Sequence, residues 1–140
     1  MTFVHEAPFT KVHLQLAIRW AKFLFRELSP NLYYHNYAHT FGEVLPAMQE
    51  ILQEQRIEGS EFYKSLTLAV LHDIGFARTY VCHEVAGAYL GRVNFAKVGL
   101  PIALQDWFDI ETAILESHPL RKATTDLSKR LKDADHAYLG

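Results

Sequence analysis

Apolar residues recur along this chain with the three-to-four-residue spacing of amphipathic helices. Phe9 to Leu28 predicts a first helix, stopped by Ser29-Pro30. Leu14, Ala17, Ala21 and Leu28 share one face, Leu16, Trp20 and Phe23 widen the apolar part, and Arg19, Lys22 and Arg26 form a basic stripe. Such a helix suits a core position with one solvated face, and its width leaves room for a homodimer contact. A second helix is expected from near His35 to Gln55, with Phe41, Leu45, Met48 and Leu52 as its core stripe. Pro46 inside that span predicts a kink or a late helix start. Gly59 ends this region, Ser60 is placed as an N-cap, and a strongly apolar central helix follows from Glu61 to Ile74. After a loop from Phe76 to Cys82, a fourth helix begins near His83 and runs to about Phe95. Gly99-Leu100-Pro101 opens a fifth, with Pro101 at its first helical position and Ala103, Trp107, Ile110 and Ile114 as its buried stripe. Pro119 closes it. A sixth starts around Asp126, with Leu127, Leu131, Ala134 and Tyr138 in register. No hairpin signal, internal repeat or low-complexity tract is present. The expected fold is all-α, a single domain over residues 1–140 with about six helices.

Composition narrows the setting. A chain of 140 residues can bury a real core without staples. Its 49% hydrophobic and 21% charged residues are those of an ordinary globular protein. The net charge of −2 gives no argument for nucleic acid or an anionic membrane. Cys82 is the single cysteine, so no internal disulfide framework exists, and a reducing, cytoplasmic setting is expected. Met1 to Pro8 lacks the pattern of a signal peptide, and no apolar stretch reaches membrane-spanning length without charges. Eight histidines, however, are many for this length. Histidine is the commonest metal ligand, so their placement matters.

The central stretch Leu66-Thr67-Leu68-Ala69-Val70-Leu71-His72-Asp73-Ile74-Gly75 concentrates the candidate chemistry. At about 100° per residue, Phe62, Leu66, Ala69 and Asp73 fall on one stripe, so a core-facing stripe ends in an acid. An unpaired carboxylate there is expensive to desolvate and calls for a cation or several donors. His72 beside it is a natural metal ligand, and Gly75 can supply the left-handed residue that ends a helix. His35 and His39, four apart, share a helix face that is either solvated or lines a polar cleft. His83 opens the fourth helix. His118 continues the Trp107/Ile110/Ile114 stripe and so is expected to point inward. Near the end, Asp135 lies close to the Leu127/Leu131 stripe, while Asp133 is well over a quarter turn away. Mixed imidazole and carboxylate ligands on facing helices suit Mn, Fe, Co, Zn or Ni and, with fewer histidines, Mg.

The motifs Tyr34-His35-Asn36-Tyr37-Ala38-His39-Thr40, Leu71-His72-Asp73-Ile74-Gly75 and Lys132-Asp133-Ala134-Asp135-His136-Ala137-Tyr138-Leu139-Gly140 resemble, in order and spacing, those of the HD-domain metal-dependent phosphohydrolase superfamily. The resemblance covers about residues 33–140. It implies an HD-domain-like helical bundle, with His39, His72, Asp73 and Asp135 as ligands of a primary metal and Asp73 as the carboxylate that bridges metals in two-metal members. It implies further that His83 and His118 match histidines that complete a second metal in some subfamilies and face substrate in others, and that His35 matches the general acid of the cyclic-nucleotide phosphodiesterases. No Gly-Tyr-Pro follows the His-Asp pair, so the cyclic-di-GMP phosphodiesterase subgroup is not indicated. Members of the superfamily usually continue for further helices after the late Asp.

The expected activity is therefore hydrolysis of a phosphate ester of a nucleotide or other small phosphorylated metabolite, assisted by one or two divalent metal ions. His35 and Asp73 are the expected catalytic residues. Arg78, Lys97, Arg121 and Lys122 lie in or near loops beside these motifs and are candidate phosphate contacts. The chief alternative is a non-catalytic metal- or nucleotide-binding regulatory module. A plain helical interaction domain, using the apolar first helix, is the third reading.

Overall fold

The computed structural model describes residues 8–26, 30–31, 37–74 and 94–137. Among the described residues all regular structure is helical. We name the α-helices α1 (Lys11–Phe25), α2 (Leu45–Glu54), α3 (Ser60–Leu71), α4 (Leu104–Glu116) and α5 (Asp126–His136); a π-helical segment, Ala38–Val44, leads into α2. Residues 94–97 add a further helical turn. The expected fourth helix lies otherwise outside the described residues. No described helix is long and apolar enough to cross a membrane.

Helix α1 starts two residues later than the hydrophobic pattern implies, because Thr10 is extended and takes the cap position. Its N–H donates to Nδ1 of His13 at 3.1 Å, the part a glutamate plays in a capping box. That bond leaves the proton of His13 on Nε2, which donates to the Pro101 carbonyl at 3.3 Å. The ring is buried against Phe9 and Phe95. Burial pushes the His13 pKa down, against the smaller effect of the Pro101 bond. The buried stripe is thus His13, Ala17, Ala21 and Phe25, with Leu14 only partly buried; Leu28 lies outside the described residues. Phe23 is 62% exposed. Pro101, expected to open a helix, instead precedes α4 by three residues and anchors His13 through its carbonyl.

The second helix shows what Pro46 does. Regular α-helix begins only at Leu45, with Pro46 in its first turn, where a missing N–H costs little. Upstream, the chain widens into π-helix, and Leu45 N–H bonds the Thr40 carbonyl five residues back. The wider turn slips the buried face by one position. Thr40, Val44, Met48 and Leu52 are buried, whereas Phe41 and Leu45 are only partly so. Arg56 then ends α2 with φ of 57° while Ile57 N–H reaches back to the Leu52 carbonyl at 2.9 Å, a glycine-type stop made without glycine. Gly59, at φ 70°, caps α3, and the hydroxyl of Ser60 accepts Phe9 N–H instead of capping.

Helix α3 is the centre of the bundle. It packs against α1, α2, α4, α5 and the π-helical segment, so every residue from Lys64 to Leu71 is buried. A helix covered on all sides should be apolar all round, which explains the run from Leu66 to Leu71. Ser65 and Thr67 are small polar residues within this buried stretch, and Lys64 is its charged one. Its ammonium bonds Asp106 at 2.9 Å and Asp109 at 3.0 Å, one turn apart on α4. Burial opposes the charge on Lys64, but the two carboxylates more than offset it and raise its pKa. Removing both acids (Asp106→Ala with Asp109→Ala) strands that charge in the interior. The double variant is expected to lose about 3 kcal/mol of stability, the low end for a broken buried pair because both acids are partly solvated. Urea unfolding measures this, and Lys64→Met should lose much less.

Helix α4 buries Trp107, Ile110 and Ile114, with Ala103 at its cap, as the spacing predicts. Helix α5 begins where Thr125 Oγ1 accepts Ser128 N–H at 3.0 Å, and it buries Leu127, Leu131 and Ala134. Arg130 ties this helix to α3 and the end of α2 through Glu61 at 3.0 Å and Gln55 at 3.1 Å. These contacts fix where the last turn of α5 lies.

Candidate metal centre

Three parts of the chain meet at one point. The π-helical segment contributes His39, the C-terminal end of α3 contributes His72 and Asp73, and the last turn of α5 contributes Asp135. One ligand atom from each of these side chains lies within 4.8 Å of all the others. His39 Nε2 is 2.6 Å from Asp135 Oδ1 and 3.7 Å from Asp73 Oδ2. His72 Nε2 is 3.0 Å from Asp73 Oδ2 and 3.5 Å from Asp135 Oδ1. Bonds of about 2.0–2.2 Å to a common ion put ligand atoms about 3 Å apart at right angles and about 3.4 Å apart in a tetrahedron. The observed edges bracket these values. His72 and Asp73 are buried, while His39 and Asp135 are partly exposed, so the cluster opens to one side.

The tautomers are set from behind. His72 Nδ1–H donates to the Ala69 carbonyl at 2.6 Å within its own helix. Its other nitrogen, Nε2, is buried and makes no hydrogen bond. The carboxylate oxygens nearby are acceptors only, so a neutral His72 turns a lone pair towards two anions. Such an arrangement demands a proton or a metal cation. Burial disfavours charge on His72, but the charge of Asp73 and the contact with Asp135 overcome it and hold its pKa well above the ordinary value. The bond with Asp135 raises the His39 pKa, burial opposes the rise, and the charge of Asp73 adds to it. Burial pushes Asp135 up, yet its contacts with His39 and His72 win and hold its carboxyl well below the usual range.

Two neutral imidazoles and two carboxylates carry a charge of about −2. The ends of α3 and α5 that meet here are both C-terminal, and so add partial negative charge. The orphaned, buried nitrogen of His72, this charge and the nitrogen–oxygen donor set together fit a divalent transition metal. What the fold assembles is an all-α protein with a His/His/Asp/Asp cluster able to coordinate such an ion.

Other candidates stand elsewhere. His118 lies just past α4, half-buried, with Nδ1 accepting the Leu120 N–H at 3.1 Å, and is not part of the four-residue group. Asp133 faces solvent. Lys97, Arg121 and Lys122 are exposed. His35, Arg78 and His83 lie outside the described residues. Glu43, which accepts from His39 Nδ1–H at 3.3 Å, was not among the residues singled out by pattern, although its spacing of four from His39 is the available signal. Comparisons with family models, with curated proteins and with solved structures find no match to this chain.

Proposed function

We propose that the protein is a metal-dependent phosphohydrolase of the HD-domain type, acting on a phosphate ester of a nucleotide or another small phosphorylated metabolite. The observation that carries the reading is the buried His72 Nε2, without a hydrogen-bond partner and facing Asp73 and Asp135. Its support from the chain is the order His39, His72-Asp73, Asp135, which matches the superfamily's motifs. In this reading His39, His72, Asp73 and Asp135 hold the ion, and the whole chain forms one domain. A divalent metal held there supplies Lewis acidity towards a phosphoryl oxygen and lowers the pKa of a coordinated water towards neutrality. The two carboxylates offset the charge of the ion and keep both imidazoles turned towards it. The partly exposed edge formed by His39 and Asp135 is the side from which a phosphate ester would enter. His35, four residues before His39, is the proposed proton donor to the leaving oxygen.

Purified protein supplied with Mn²⁺ should hydrolyse at least one member of a panel of phosphomonoesters, phosphodiesters and nucleotides, with chelator abolishing turnover. Full metal loading without hydrolysis of any ester would instead favour a non-catalytic binding module.

A further inference from the structure

The two histidines of the cluster are held by different means. His72 Nδ1–H is tied to a backbone carbonyl inside its own helix, buried and fixed by the fold. His39 has no such support. Its ring is on the π-helical segment, about one-third exposed, and its Nδ1–H points at the Glu43 carboxylate, 3.3 Å away and one turn on. Both ring nitrogens face carboxylates, Nε2 the pair Asp73 and Asp135 and Nδ1 Glu43. A carboxylate can only accept, so when a metal takes the place of the proton on Nε2 the remaining proton lies on Nδ1, towards Glu43. We propose that Glu43 is the positioning residue of this centre: it orients the His39 ring and increases its strength as a ligand. The inference rests on the metal-site reading above.

Without an acceptor at Nδ1, the partly exposed ring can turn about its χ2 bond and offer either nitrogen to the ion. With a charged acceptor, the ring is fixed and electron density moves towards Nε2, which strengthens the metal bond. Glu43 contributes little to the core, since its side chain is 44% exposed, so its removal separates positioning from folding. The π-helical turn that places Val44 in the core also keeps Glu43 beside His39 at the site's edge.

The test compares wild type, Glu43→Ala and Glu43→Gln by two readouts. One is the affinity for Zn²⁺ by competition with a chromophoric chelator. The other is the His39 Nδ1–H proton in NMR spectra of selectively ¹⁵N-histidine-labelled protein, with and without Zn²⁺. Glu43→Ala is expected to weaken Zn²⁺ binding about 10-fold. It should also abolish the exchange-protected Nδ1–H signal, with an unchanged thermal midpoint in the absence of metal. The amide oxygen of Glu43→Gln keeps the acceptor but loses the charge. That variant should retain the signal and most of the affinity. An unchanged affinity or an unchanged Nδ1–H signal in Glu43→Ala overturns the proposal. Wild-type protein that binds no Zn²⁺ overturns the metal reading itself, and any role of Glu43 towards a metal with it.

Discussion

Asp73→Asn should bind Zn²⁺ or Mn²⁺ roughly 1000-fold more weakly than wild type, a loss of about 4 kcal/mol, while the protein remains folded. The substitution keeps the size and shape of the side chain and removes one negative charge. In the cluster that charge faces His72 Nε2 at 3.0 Å and His39 Nε2 at 3.7 Å. Asp135→Asn should behave in the same way, since Asp135 touches the same two nitrogens from the opposite helix. Metal content after dialysis reads the first effect, and far-UV circular dichroism reads the fold. On the proposed function, phosphohydrolase activity falls with the metal. Stoichiometric metal retained in both variants would remove the assignment.

Metal should stabilise the protein far more at pH 8.5 than at pH 6. In the metal-free protein His39 and His72 have folded pKa values raised above the ordinary 6.5. Their contribution to stability is therefore fully present below about pH 6.5, the unfolded value, and is lost as pH rises through the folded values. Asp135 has the opposite sign. Its pKa is lowered, so its contribution is present above the unfolded value and lost as pH falls through the folded one. His13, lowered by burial, contributes above about pH 6.5 and loses that contribution on acidification. Metal must displace the protons on His39 and His72, so affinity rises with pH. At a free metal concentration 100 times the dissociation constant the gain is about 2.7 kcal/mol. It should appear as a raised thermal midpoint at pH 8.5 that shrinks sharply at pH 6. A midpoint shift that is equal at both pH values, or larger at pH 6, contradicts proton displacement at these histidines.

Where the hydrophobic pattern was regular, it located the packing. Trp107, Ile110 and Ile114 on α4, and Leu127, Leu131 and Ala134 on α5, are buried as their spacing implies. A uniform α-helical turn turns spacing directly into direction. The pattern misled where the turn was not uniform or where a polar residue took a core place. Pro46 gave notice of a disturbance, but not that it would become a π-helical segment moving the buried face from Phe41 to Thr40 and Val44. His13 reads as polar, yet it is a buried cap that links α1 to Pro101. Lys64 is likewise buried because two acids, distant in sequence, wait on α4.

The site was legible in a different way. The inward phase of Asp73 and Asp135 follows from helical geometry within single elements, and both carboxylates meet the histidines in the bundle. The two readings left open for the face of His39 resolve as a polar cleft, because the slipped face places His39 next to buried Thr40 and opposite Asp135. Bonds such as His72 Nδ1–H to Ala69, and the orphaned Nε2 that results, depend on rotamers that no spacing encodes.

The most direct measurement is an anomalous-difference map from crystals grown with Zn²⁺ and recorded on both sides of the zinc absorption edge. A peak is expected within about 2.0–2.2 Å of His39 Nε2, His72 Nε2, Asp73 and Asp135. A zinc ion bound elsewhere with this cluster bare, or no zinc at all at millimolar concentration, would contradict the metal-site reading.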